Sequence, residues 1–557
     1  MEKAAADIEQ PAAQPETSDF ITGWRLAILL LSVSIAIFLP NLEVSIVSTA
    51  LVTITNDLQG FSKTGWVVVA YLVTYTGRSL SLTATRLGLT VLPGTGFIII
   101  WAKLSDILTR KWSLIASLVV FIVGSAICGA SQSMTMLIVF RALQGLGGAG
   151  CFSISMVVFF EMIPPAKYPK YGSLLSADVA LATLLGPIIG GAIADGTSWR
   201  WVFLLNLPIG ALAVVALLVF LPKNFPYHGS RPKPPNSKHS LQRVDFIGTL
   251  LLVGANLLLV TALLEASTDY SWSSALTISL LTISAVLWIC FVVWEYFATR
   301  ETWPVEPVFP FRFFPNRYWM GMLLQSFFLG VPFTMLVIAL PQRFQTVNSM
   351  SALDAGVRLL PYAMLAPVGS LVSNIIFMRR PVPIPLLIAG ATFQVLGLAL
   401  LVAEPVRESL PAKLYGYETL GGFGVGITFG TLVTITPSSV EPRDLATATG
   451  AMIQFRQMGS TIGLSIGSAL LNSYIKSHLA PPVLSASQLE SLLENIRVIF
   501  TLPPELQQVT REVFAAAFEL QLKVVIGLAA ALFPSILLML RVTRRDGGIL
   551  SAGTGAR

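Results

Sequence analysis

The chain has 557 residues, of which 54% are hydrophobic and only 12% charged, and its mean hydropathy is +0.74. Soluble domains carry about 25% charged residues, and a soluble chain of this length would show several domains with alternating polar faces. The net charge of +7 does not point to nucleic acid, because the basic residues sit in short stretches between long apolar runs, as in the loops of membrane proteins.

In chain order, residues 1–18 are polar and acidic and lack the basic region, apolar core and cleavage site of a signal peptide. They read as a disordered cytosolic tail, with the first span as an uncleaved membrane signal. Apolar spans follow near 26–50, 113–130, 134–160, 173–194, 201–221, 246–265, 275–297, 318–340, 355–377, 383–403, 415–436, 446–471 and 520–541, with one more, interrupted, around 65–101. Each run approaches the roughly 20 apolar residues that cross a bilayer as a helix. The expectation is therefore an all-α polytopic membrane protein with fourteen transmembrane helices and both termini on one side.

Loops that follow even-numbered spans carry Lys103, Arg110, Lys111, Lys167, Lys170, Lys223, Arg231, Lys233, Lys238 and Arg243, then Arg300, Arg312, Arg317, Arg379, Arg380 and Arg443. Short loops on the other side carry Lys63, Arg200, Arg343, Arg358, Arg407 and Lys413. The richer side is the cytosolic one. The stretch 472–518 then faces the outside or a lumen, with Leu489 to Phe500 and Glu505 to Phe518 as candidate surface helices.

Residues 78–96 (RSLSLTATRLGLTVLPGTG) split one span. Gly65–Gly77 and Phe97–Ala102 are each too short to cross a bilayer, yet joined directly they make one span of ordinary length. The segment reads as a translated intron or gene-model error, the alternative being a genuine loop.

Four regions carry the candidate chemistry. Between the second and third spans, Ala102 to Lys111 places Asp106 four residues before the Arg110–Lys111 pair, a cluster suited to pairing across helix ends and holding the cytosolic side closed. The fourth span holds Arg141, Gln144 and glycines at 145, 147, 148 and 150. An arginine inside a membrane is costly and marks a functional position, while glycines allow close helix approach. Its expected acid partner is Glu43 in the first span, a carboxyl able to take and release a proton, the alternative being a static pair joining two helices. The fifth span contains Gly186-Pro187 and Gly190-Gly191, permitting a bend and tight packing. Near 454–467, Gln454, Arg456 and Gln457 precede Gly459, Gly463 and Gly467, a second membrane arginine beside small residues that hints at an internal repeat.

Asn41, Gln144, Gln325 and Arg456 are the candidates for lining a substrate cavity. Glu161, Asp178, Asn256, Glu295, Gln394 and Glu418 also fall within spans and are read as structural rather than substrate-binding; Trp66, Phe327, Phe328 and Phe333 are read as lipid-facing. No phosphate-binding G-x-x-x-x-G-K-[ST] loop and no H-E-x-x-H zinc motif occurs, and Cys128, Cys151 and Cys290 form neither a disulfide framework nor a metal cluster. An ion gradient remains as the energy source, with no cofactor, and the chain is not read as an enzyme.

With these motifs in place, the chain from about 20 to 545 resembles the major facilitator superfamily, in its fourteen-spanner drug:proton antiporter branch. Ala102–Lys111, Arg141–Gly150 and Gly186–Gly191 look like that family's signatures in the 2–3 loop, helix 4 and helix 5; Leu42–Leu51 and Trp199–Gly210 resemble its helix 1 and helix 6 segments. Within the branch, Leu340–Gln345, Gly356–Pro361 and the 472–518 stretch are similar to fungal pumps for toxins and secondary metabolites. Ala102 and Thr109 depart from the usual glycines, and Glu43 from the usual aspartate.

The resemblance implies a six-helix bundle over 24–221 after a 1–23 tail, a basic cytosolic loop at 222–244, two inserted helices at 245–298, a second bundle over 299–541 and a 542–557 tail. It implies proton uptake on an acid such as Glu43, coupled with Arg141, and gating by Asp106, Arg110, Lys111, Gly186, Pro187, Gly190 and Gly191. The expected activity is export of a small amphipathic compound by a monomer in the plasma membrane. A vacuolar basic amino acid permease and a membrane nutrient sensor are the alternatives.

Overall fold

The computed structural model describes residues 21–76, 101, 105, 109–164, 168–223, 225, 245–266, 268, 270–299, 307, 309, 311–404, 410–440 and 445–540. The sequence readings on the 1–18 tail, 78–96, Asp106, most of 222–244 and 542–557 lie outside these residues. Among the described residues every regular element is helical, as lipid requires of segments that satisfy their own backbone groups.

Among the described residues eleven helices are long and apolar enough to cross a membrane. They are α1 (Gly23–Asp57), α3 (Arg110–Gly129), α4 (Met134–Met162), α6 (Trp201–Phe220), α8 (Ala275–Ala298), α9 (Arg317–Thr346), α10 (Ala352–Arg379), α11 (Pro383–Ala403) and α14 (Pro504–Met539), together with α7 (Phe246–Glu265) and α12 (Lys413–Ser439). Three further helices complete the chain order: α2 (Thr64–Thr76), α5 (Tyr168–Gly196) and the 35-residue α13 (Leu445–Leu479). Side chains set several starts. Ser133, Asp245, Ser274, Asn316 and Ser351 accept backbone N–H groups three residues ahead at the first turns of α4, α7, α8, α9 and α10.

The packing repeats. In the first half α1 packs on α4, α5 and α6, α2 on α4, and α3 on α4 and α6; in the second half α9 packs on α12, α13 and α14, α10 on α12, and α11 on α12 and α14. Between the halves, α2 meets α13 and α5 meets α10, the pattern expected of two parallel repeats about one axis. Helices α7 and α8 pair with each other, and α7 leans on α13 and α2. The outer surface of α8 exposes Ile278, Ile283, Val286 and Ile289, a surface suited to lipid.

Three boundaries differ from the sequence expectation. Arg343 and Arg358 stand inside α9 and α10 rather than in loops: α9 runs a turn beyond its apolar run to Thr346, and Arg358 falls within the 355–377 run itself. Glu505 to Phe518 is the first half of α14, not a surface helix: Thr510, Phe514, Ala517 and Phe518 recur on one buried stripe. The connection between α13 and α14 is accordingly shorter than 472–518, and it holds a helix at Ala486–Glu494 and a turn at Ile496–Thr501.

Candidate functional site: a buried charge network and a closed face

Arg141 lies in the second turn of α4, fully closed to solvent. Its Nη1 donates to Glu43 Oε1 on α1 at 2.5 Å and to Gln144 Oε1 at 2.7 Å, and its Nε donates to the carbonyl of Val67 on α2 at 3.1 Å. The guanidinium lies 4.4 Å from the ring centre of Tyr71 and 5.6 Å from that of Phe203, both cation–π distances. Glu43, 1% exposed, uses its second oxygen to accept from Asn206 Nδ2 on α6 at 2.7 Å. Ser125 on α3 accepts from both Gln144 Nε2, at 2.7 Å, and Asn206 Nδ2, at 3.3 Å.

One acid and one base thus sit in a dry pocket built by five helices. Removing either charge would leave the other uncompensated, an arrangement worth several kcal/mol. Small residues make the approach possible. A Cβ on Gly124 of α3 would stand 2.7 Å from the Gln144 backbone, and one on Gly150 would stand 2.8 Å from the Trp101 ring. Tyr71 donates to the Pro40 carbonyl of α1 at 3.1 Å, tying α2 to the Glu43 helix. The network therefore ties α1 to α2, α3, α4 and α6. Asn206, Ser125 and Tyr71 belong to the site but are not among the sequence candidates; Asn206 lies in the Trp199–Gly210 stretch, while only depth in apolar runs could have flagged Ser125 and Tyr71.

A second group of expected residues meets where α1 ends, called here the distal face. A Cβ on Gly186 would press on Ser45, one on Gly190 on the Ile46 carbonyl, and one on Gly191 would come 2.6 Å from Leu353 Cα. Gly356 of α10 abuts the Pro187 carbonyl in return. Asp195, which sequence reasoning passed over, accepts the N–H groups of Ala352 at 3.1 Å and Leu353 at 2.8 Å, so an α5 carboxylate caps the start of α10. Further bonds join the halves here: Gln345 to the Thr49 carbonyl at 3.0 Å, Asn472 to the Ser62 carbonyl at 2.9 Å, and Ile496 N–H to Asn56 at 3.0 Å. The molecule is closed at this face.

At the opposite face Arg110 grips Glu161 with two nitrogens, at 3.0 to 3.2 Å, and donates to Ser105 at 2.6 Å. Its anionic partner lies on α4, a residue the sequence reading treated as structural. Lys111 donates to the carbonyls of Leu218 and Leu221 at 2.7 and 2.6 Å, capping the end of α6.

The cavity candidates scatter. Asn41 bonds its own helix at the Ile37 carbonyl, 2.7 Å away. Gln144 is wholly inside the charge network. Gln325 is buried against α14, donating to the Leu532 carbonyl at 2.6 Å and to Ser535 at 2.8 Å. Arg456 stacks over Phe429 of α12 at 5.3 Å. A cavity of about 470 Å³ opens between α1 and α5, lined by Leu26, Leu30, Tyr171, Leu174, Asp178 and Leu181 among others.

A sequence profile of the Major Facilitator Superfamily matches residues 33–464. The MFS-type transporter FPY5 of Fusarium mangiferae is 41% identical over 522 residues, covering 93% of this chain and 84% of that protein. The efflux pump FUS6 of Gibberella fujikuroi is 31% identical over 480 residues, covering 86% and 80%. Among solved structures, a bacterial homologue of the human lysosomal transporter Spinster, inward-facing and unoccupied, aligns over 94% of this chain and 100% of its own with a TM-score of 0.59 at 14% identity.

Proposed function

Because the chain belongs to the Major Facilitator Superfamily, a family of membrane transporters, we propose that it exports a small amphipathic organic compound in exchange for protons. The observation that carries this reading is the Glu43–Arg141 pair, enclosed at 2.5 Å in the first bundle with no opening to water. A carboxyl so placed exchanges its partner Arg141 for a proton whenever α1 and α4 separate. Closure at the distal face, with a cavity reaching between α1 and α5, suits a conformation that waits for cargo on the basic, cytosolic side. The efflux-pump name of a fungal relative points to a secondary metabolite or toxin as cargo and to the plasma membrane as location.

The same reading takes α1 to α14 as fourteen spans and 78–96 as foreign to the mature protein. Sequencing the transcript tests the second point: a major message lacking those codons is expected, and one retaining them would defeat it. For the function, small molecules inside and outside a fungal host are profiled by mass spectrometry with and without this protein. A compound depleted inside and enriched outside is expected; no difference despite surface localisation would overturn export.

A further inference from the structure

The repeat that relates the halves pairs α1 with α9, α2 with α10 and α4 with α12. In the first half, the acid Glu43 is the twenty-first residue of α1, the base Arg141 the eighth of α4, and Tyr71 the eighth of α2. In the second half, a base, Arg343, is the twenty-seventh residue of α9, an acid, Glu418, the sixth of α12, and Tyr362 the eleventh of α10. The same three helices of each half therefore carry an acid, an arginine and a tyrosine, with the charges exchanged and the depths unequal: Glu43 stands 14 residues before the end of α1 and Arg343 three before the end of α9. All three second-half side chains are at least 97% buried.

Their packing confirms the neighbourhood. Gly421 and Gly422 lie one turn from Glu418 on the same face of α12. A Cβ on Gly421 would stand 3.4 Å from the Tyr362 ring, and one on Gly422 would meet the Tyr362 carbonyl. Helix α9, which carries Arg343, packs against α12, which carries Glu418.

The difference between the halves is the state of the pair. Glu43 accepts from both Arg141 and Asn206. Neither oxygen of Glu418 accepts a hydrogen bond, Arg343 Nε donates none, and the Tyr362 hydroxyl has no partner. The other groups around Glu418 are engaged or distant. Arg358 donates to the hydroxyl of Tyr415, Glu519 pairs with Lys523 at 2.7 Å, and Lys413 pairs with Glu404 at 2.6 Å. No titratable side chain stands on α11, and Arg456 of α13 lies over Phe429, about 16 Å deeper along α12. A carboxylate shut away from water without a donor is among the most costly groups a protein can bury; the neutral acid is far less so.

We propose that Glu418 is a second proton-carrying carboxyl, which alternates between a bound proton and the guanidinium of Arg343. This rests on the proton-coupled reading above and extends it to the second bundle. In the distally closed conformation the proton is on Glu418, while Glu43 has released its own to water and its carboxylate is paired with the cationic Arg141. On release the O–H bond of Glu418 breaks, the proton passes to cavity water, and the already cationic Arg343 closes on the carboxylate. Reloading takes a proton from water admitted when the distal ends part.

Infrared difference spectroscopy of the full chain in lipid, stepped through pH without any cargo, tests this. Glu43→Gln and Glu418→Gln, each isosteric with the neutral acid, are each expected to remove a separate component of the protonated-carboxyl band, with Glu418→Gln lowering its pH-dependent amplitude to about half. With Arg343→Gln the Glu418 component is expected to stop disappearing as pH rises. Loss of a component in Glu43→Gln alone would overturn the second site and leave proton coupling standing. No loss in either variant would remove both, and a Glu418 component unmoved by Arg343→Gln would overturn the pairing.

Discussion

Arg141 is held by contacts of three kinds: a carboxylate, carbonyl oxygens and two aromatic faces. Most of its worth lies in balancing Glu43. Arg141→Gln is expected to destabilise the protein by about 3–5 kcal/mol, because the Glu43 charge is left alone in a dry pocket. The double variant with Glu43→Gln should recover most of that loss, since two neutral amides bury more cheaply than one charge. Thermal unfolding in detergent measures both, and a double variant no more stable than Arg141→Gln would show the pair to matter less than its shape. Both charges stand out in the sequence because ionised residues are rare in apolar runs. Asn206 and Ser125 do not, since an amide and a hydroxyl in a span are ordinary and only the approach of α3, α4 and α6 gives them a role.

At the scale of helices, the distal closure depends on α5 lying flush against α1 and α10. Gly191→Val adds a branched side chain where even a Cβ would stand 2.6 Å from Leu353 Cα, so the contact must part. Asp195→Ala removes the cap on α10, a loss of about 1 kcal/mol, which shifts an open–closed equilibrium roughly five-fold. Both are measured through a reporter cysteine in place of Thr64, buried at the seam, with the three native cysteines replaced and a membrane-impermeant thiol reagent applied. Faster labelling is expected from each variant, more from Gly191→Val; unchanged rates would mean that the seam is held elsewhere. The glycines of α5 announced a close approach in the sequence, but not its partner. Asp195 gave no signal, because an acid at the end of an apolar run reads as a solvated loop residue.

Across the whole molecule, apolar run length foretold an all-helical chain, in which eleven helices among the described residues are long and apolar enough to cross a membrane, while the helix ends escaped it. Arg343 and Arg358 looked like loop charges, since a run of hydropathy stops where a charge appears although the helix continues through it. The stretch from Glu505 to Phe518 reads as a surface helix, because its polar face faces water while Phe514 packs beside Phe61 and Phe518 is buried. The repeat showed in the sequence as a second membrane arginine, Arg456, whereas the helix contacts match α1 with α9 and α4 with α12. The central claim, export driven by protons through Glu43, is tested most directly in inside-out membrane vesicles. These are placed in medium containing the compound found by metabolite profiling, and a pH gradient, acid inside, is imposed. Gradient-driven accumulation by the wild type and none by Glu43→Gln, with equal amounts of each protein in the membrane, is the predicted result; accumulation by Glu43→Gln equal to that of the wild type would contradict it.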